Sequence, residues 1–166
     1  MKKLSSIIIS ILILNLAYAC GGYKPIYTTD LQFEIVDYSI IKNKQIGRQI
    51  YSKLYAISKS SSKNKAGAKS INIKINTSKD KNATNKDSAG KVLNYKITVT
   101  SIITVEDYLT NSEILNQTFS YSSTYKVQDQ YSETIKLENK TIENIINKIY
   151  QDLLIAMSEK ILEKWL

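Results

Sequence analysis

Leu93-Asn94-Tyr95-Lys96-Ile97-Thr98-Val99-Thr100 alternates apolar and polar residues without a break. Successive side chains of a strand point to opposite faces, so the pattern predicts a strand with one buried face and one wet face. It also stands upstream, where Ile71, Ile73 and Ile75 alternate with Asn72, Lys74 and Asn76. It returns downstream, where Leu115, Phe119, Tyr121, Tyr125 and Val127 share one parity. Lys79 to Gly90 reads as a polar turn region and Glu106 to Glu113 as a polar connection. Ile102-Ile103 breaks the parity and predicts either a bulge or a second buried face. One-sided alternation in long consecutive strands predicts a mainly antiparallel sheet.

Helical periodicity flanks these strands. Ile46, Ile50, Leu54 and Ile57 fall on one helical face, with Asn43 placed to cap it and the polar run Ser60 to Lys69 ending it. Before that helix, Phe33 to Tyr38 reads as a first strand. After the last strand, no Gly or Pro occurs from Ser132 to Leu166. Ile142, Ile145, Ile149, Leu153, Met157 and Ile161 mark an apolar stripe, widened by Ile146, Tyr150, Leu154 and Trp165. Ser132 or Thr134 would cap this helix, with Glu133 in its first turn. The order is therefore β-α-β-β-β-α. The fold class is α+β, a two-layer sandwich in which two helices cover one face of a four-stranded, mainly antiparallel sheet.

The N-terminus reads differently. Lys2 and Lys3 form a positive n-region, and Ile7 to Leu16 an apolar h-region too short to span a bilayer, which takes ~20 residues. Ala17-Tyr18-Ala19 then leads into Cys20, the only cysteine. Residues 1–19 read as an export signal, 20–30 as an extended tether broken by Gly21, Gly22 and Pro25, and 31–166 as a single domain. Cleavage before Cys20 would make it the first residue and the site of lipidation. Ala17-Tyr18-Ala19 also fits the A-x-A site of ordinary signal peptidase, which would leave Cys20 a free thiol. Gly21 and Gly22, with no Asp after the cysteine, imply sorting to the outer membrane in bacteria resembling the enteric ones.

Composition removes whole classes of chemistry. The chain has no histidine, so histidine triads, proton shuttles and histidine metal sites are excluded. One cysteine excludes cysteine-rich zinc sites and internal disulfides. With five glycines there is no G-x-G-x-x-G or G-x-x-x-x-G-K-[ST] phosphate cradle. Glu106 and Asp107 are adjacent on a strand and point apart, a poor acid/base pair. The expectation is no enzyme, no metal and no cofactor. The N-x-[ST] matches at Asn76, Asn82, Asn116 and Asn139 read as accidents of an Asn-rich composition.

The net charge of +8 is unevenly spread. Residues 42–96 hold fourteen Lys or Arg against Asp80 and Asp87, whereas residues 97–166 hold six against ten acids. Such asymmetry points to a polyanionic partner, or to a solvated face in a lysine-rich composition. An export signal argues against nucleic acid and favours anionic lipid headgroups or a sugar-phosphate glycolipid.

Cys20-Gly21-Gly22-Tyr23-Lys24-Pro25-Ile26-Tyr27 is similar to the C-G-[aromatic]-x-P-L-Y opening of alphaproteobacterial members of the LptE family of lipopolysaccharide-assembly lipoproteins, with one extra Gly. Ser88-Ala89-Gly90-Lys91-Val92-Leu93-Asn94-Tyr95 resembles that family's glycine turn entering a strand. Tyr125 to Ile161, with Asp129, Tyr131 and Glu138, resembles its final strand-to-helix passage. The resemblance implies a non-enzymatic outer-membrane lipoprotein, lipid-anchored through Cys20 on the periplasmic side. It implies a plug and assembly partner for the LptD β-barrel translocon that binds lipopolysaccharide on its way to the outer leaflet. It also implies lipopolysaccharide contacts at Lys86 and Lys91, which flank the glycine turn where Ser88 replaces the family's basic residue, and at Lys136. The alternative is a stand-alone lipoprotein that binds an anionic glycan or lipid without a barrel.

Overall fold

The computed structural model of the chain describes residues 31–61 and 68–163. The segments expected to be an export signal and a tether, together with Cys20 and Trp165, lie outside the described residues. The elements are β1 (Phe33–Lys42), α1 (Lys44–Ser61), β2 (Lys69–Lys86), β3 (Val92–Asp107), β4 (Glu113–Lys126) and α2 (Tyr131–Glu163). The four strands lie in chain order, β1-β2-β3-β4. β1 pairs parallel with β2, and the other two pairings are antiparallel. The expected α+β class, element order and mainly antiparallel sheet are therefore observed. The parallel pair follows from α1, since parallel neighbours need a crossover between them.

Both helices pack on one face of the sheet. Ile71, Ile73, Ile75, Ile97, Val99, Ile103, Val105, Leu115 and Phe119 point toward them. Ile46, Ile50 and Leu54 of α1 and Ile145, Ile146, Ile149, Leu153, Leu154 and Met157 of α2 close the same core. The opposite face is polar, with cross-strand hydroxyl pairs Thr98–Ser122 and Thr100–Ser120, each at 2.9 Å.

Caps and turns agree in part with the sequence patterns. The Ile46 amide donates to Asn43 Oδ1 at 3.2 Å, so Asn43 caps α1 as expected. Neither Ser132 nor Thr134 caps α2, because both lie inside it. The Gln130 carbonyl instead accepts from the amides of Glu133 and Thr134, and Thr134 Oγ1 accepts from the Gln128 amide at 2.9 Å. α2 has 33 residues and is thus ~50 Å long.

Strand lengths differ from the expectation in three places, the smallest being the expected connection Glu106 to Glu113, where Glu106 and Asp107 belong to β3 and Glu113 to β4. Most of the presumed turn region Lys79 to Gly90 is strand, since β2 runs to Lys86 and pairs with Val92 to Val99. Those residues show no alternation because most of this overhang is wet on both faces. The reversal takes only Asp87 to Lys91, with Asp87 Oδ1 accepting from the amides of Ala89 and Lys91, and Gly90 at φ +84°. β1 likewise continues past Tyr38 to Lys42, after a bulge between Ile35 and Asp37. No bulge occurs at Ile102-Ile103: Ile103 is in the core, and Ile102 lies on the polar face, 42 % exposed.

Candidate functional site

The strand parity of β2 does not stop with its isoleucines. Ile71, Ile73, Ile75, Thr77, Lys79 and Lys81 all face the helices. On α2, Glu138 occupies the stripe that continues through Ile142 and Ile145. The inward lysines and the inward glutamate therefore meet between the layers. Lys81 Nζ donates to Glu138 Oε2 at 2.6 Å, and Lys79 Nζ lies 3.4 Å from Oε1. The Tyr125 hydroxyl donates to Glu138 Oε2 at 2.9 Å. Lys81 Nζ sits 4.4 Å from the centre of the Tyr95 ring, which stacks on Tyr125 at 5.9 Å.

This cluster fixes its own charges. Burial disfavours the Glu138 carboxylate, but the hydrogen bonds from Lys81 and Tyr125 and the charge of Lys79 outweigh it and lower the pKa. Burial also opposes the Lys81 ammonium, yet its contacts with Glu138 and Tyr125 raise the pKa well above the ordinary lysine range. Burial, more than its neighbours, pushes the Tyr125 hydroxyl up.

Above the cluster, an open groove of about 980 Å³ runs between the N-terminal halves of the two helices. Asn43, Arg48, Gln49 and Lys53 line one wall, and Lys136, Asn139, Lys140 and Glu143 the other. Ile46, Ile142, Lys79 and Glu138 also line it, with Gln45 and Ser52 on the α1 side. With Glu138 engaged by Lys79 and Lys81, the remaining cations Arg48, Lys53, Lys136 and Lys140 face Glu143 alone. A smaller hollow of about 530 Å³ beside β4 carries Asp152 and Glu159 and no cation, so it does not suit an anion.

The sequence-derived candidates separate. Lys86 and Lys91 are exposed near the tip of the β2–β3 hairpin. Lys136 is exposed on α2 and lines the groove. The structure thus groups Lys136 with Arg48, Lys53 and Lys140, which sequence reading did not single out. Their shared position depends on how α1 lies beside α2, and no local pattern encodes that. Lys79, Lys81 and Glu138 were findable from strand parity and helical stripe, but a charged residue in an apolar series reads as the end of the series. Among the described residues, no group of three or more Asp, Glu, His or Cys side chains could hold a metal ion. No described helix is long and apolar enough to cross a membrane.

No family model matches the chain, and no curated protein sequence matches it. Solved structures do. Rare lipoprotein B from Shewanella oneidensis superposes with a TM-score of 0.53 at 12 % identity, covering 78 % of this chain and 99 % of that one. The minor lipoprotein from Acinetobacter baumannii superposes with a TM-score of 0.53 at 14 % identity, covering 78 % and 93 %. Lipoprotein B from Nitrosomonas europaea, uncharacterized, gives 0.53 at 16 % identity, covering 75 % and 81 %. The chain has the fold of these bacterial lipoproteins. At such identity the likeness is one of backbone architecture.

Proposed function

We propose that this chain is an outer-membrane lipoprotein of the LptE type. Acylated at Cys20 and facing the periplasm, it helps an LptD-type β-barrel to assemble, plugs part of its lumen and binds lipopolysaccharide in transit. It catalyses no reaction. The observation that carries this reading is the fold shared with rare lipoprotein B; it is supported by N-terminal residues that read as an export signal followed by the one cysteine of the sequence. Several acyl chains, at ~0.8 kcal/mol per buried CH₂, hold such a domain at the membrane essentially permanently. A barrel wide enough to pass a glycolipid leaks unless something fills it. A two-layer domain with a polar sheet face is suited to a polar lumen.

Affinity purification of the full chain from membranes, with mass spectrometry of its partners and its N-terminal peptide, tests the reading. The expected result is a large β-barrel in near-equal amount and an acylated Cys20. A Cys20→Ala variant should lose the lipid and much of the membrane association. Recovery without any barrel, together with lipopolysaccharide binding, would instead favour the stand-alone lipoprotein, a reading that the cationic groove supports equally well.

A further inference from the structure

We propose that the groove between α1 and α2, rather than the hairpin tip, receives the phosphate groups of a glycolipid headgroup. This deepens the function proposed above and takes the identity of the glycolipid from it. Lys136 and Lys140 stand one helical turn apart on the same face of α2. Like charges at that spacing repel, and neither lysine has a carboxylate partner among the described residues. Arg48 faces the same groove and also lacks an ion-pair partner there. Lys53 contributes a further ammonium, 5.9 Å from the centre of the Tyr150 ring. An anion bound between the walls relieves this repulsion and gains charge-assisted hydrogen bonds from both helices.

The lining selects among anions. Gln45, Gln49 and Asn139 offer neutral donors and acceptors beside the cations, as sugar hydroxyls require, whereas the Ser52 hydroxyl donates to the Arg48 carbonyl and Asn43 Oδ1 caps α1. The walls are helical and present no free strand edge, so an acidic peptide finds no main chain to pair with. Ile46 and Ile142 supply a small apolar base. A compact, multiply charged, hydroxylated headgroup fits better than a polypeptide. Lys86 and Lys91, by contrast, stand exposed near the hairpin tip and line no groove with these cations.

The test uses the full chain in detergent, with lipopolysaccharide, its enzymatically dephosphorylated form, phosphatidylglycerol vesicles and inorganic pyrophosphate as probes. Arg48→Gln with Lys140→Gln should weaken lipopolysaccharide binding about tenfold or more, with an unchanged thermal melt, because two charge-assisted contacts are lost. Lys86→Gln with Lys91→Gln should change it less than about twofold, the scale of exposed charges. Dephosphorylated lipopolysaccharide should bind as weakly as the groove variant does to the intact form. Competition by pyrophosphate marks phosphate itself as the recognised group, and stronger binding to lipopolysaccharide than to phosphatidylglycerol vesicles assigns it to the glycolipid. The proposal falls if the hairpin variant loses binding and the groove variant does not, if phosphate removal has no effect, or if the native chain binds none of the probes. Barrel capture is measured in parallel with every variant. A groove variant that binds normally while the native chain captures its barrel overturns the groove alone. Loss of barrel capture with lipopolysaccharide binding intact would show the groove to be a protein contact and also overturn it.

Discussion

Lys81 Nζ and Glu138 Oε2 meet at 2.6 Å, one from the sheet and one from the long helix. Their side chains are 33 % and 12 % exposed, so the glutamate is buried and the lysine reaches it from the rim. Removing the carboxylate strands the Lys79 and Lys81 ammoniums. Because both keep partial access to water, Glu138→Gln should cost about 1–2 kcal/mol rather than the ~3–5 of a fully buried pair. Chemical denaturation with fluorescence or circular dichroism checks this. A variant as stable as the native chain would show that the cluster contributes no net stability.

Asp107 governs acid stability by a different geometry. Its Oδ1 accepts from the amides of Leu109 and Thr110, at 2.9 and 3.0 Å, and its Oδ2 lies 3.1 Å from Lys69 Nζ. The Thr110 amide and Lys69 hold its carboxyl at about 2, against an ordinary 3.8. A depressed carboxyl binds its proton more weakly folded than unfolded, so its stabilisation is complete above pH ~4 and fades as pH falls toward 2. Glu138, also lowered, acts in the same direction. The melting temperature should therefore drop steeply between pH ~4 and 2. Asp107→Asn keeps the turn acceptor and loses the ion pair, costing about 1 kcal/mol at neutral pH. The gap between variant and native chain should close toward pH 2, and a gap independent of pH would refute the assignment.

The core was legible in the sequence because burial on one face imposes a period. Ile71, Ile73 and Ile75, Ile97 and Val99, and the helical stripe through Ile149 and Leu153 are all buried as their spacing requires. Where the chain is wet on both faces the period carries no information, which hid most of the extension of β2 to Lys86. Ile102 gave a false signal, since an apolar residue on a polar face costs little and breaks the pattern. The groove was illegible for another reason. Arg48 and Lys140 share it only because α1 and α2 lie side by side.

Thr77 Oγ1 and Ser101 Oγ form a 3.1 Å hydrogen bond inside the core, both residues fully buried. A buried polar group that loses its partner pays its whole desolvation cost, whereas replacing both by apolar groups is nearly neutral. Thr77→Val alone should cost about 1–2 kcal/mol, and Ser101→Ala alone about as much. The double variant should lie close to the native chain. A thermodynamic cycle measures the coupling, and additive losses would mean that each hydroxyl has another partner.

Gly47 lies in α1, where alanine would ordinarily stabilise a helix by about 1 kcal/mol. A Cβ there would instead clash with Ile40 Cγ2. Ile40 is β-branched and anchored in β1, so it has little rotamer freedom with which to retreat. Overpacking of this kind costs about 1–3 kcal/mol, which outweighs the gain in propensity. Gly47→Ala should therefore destabilise the domain by about 1 kcal/mol. Ile40→Ala removes the clashing methyl at the cost of some buried area. In the Ile40→Ala background, Gly47→Ala should change sign and stabilise, because only the helical preference remains. Urea denaturation of the four chains decides it. If Gly47→Ala destabilises equally in both backgrounds, contact with Ile40 is not what excludes a side chain at position 47.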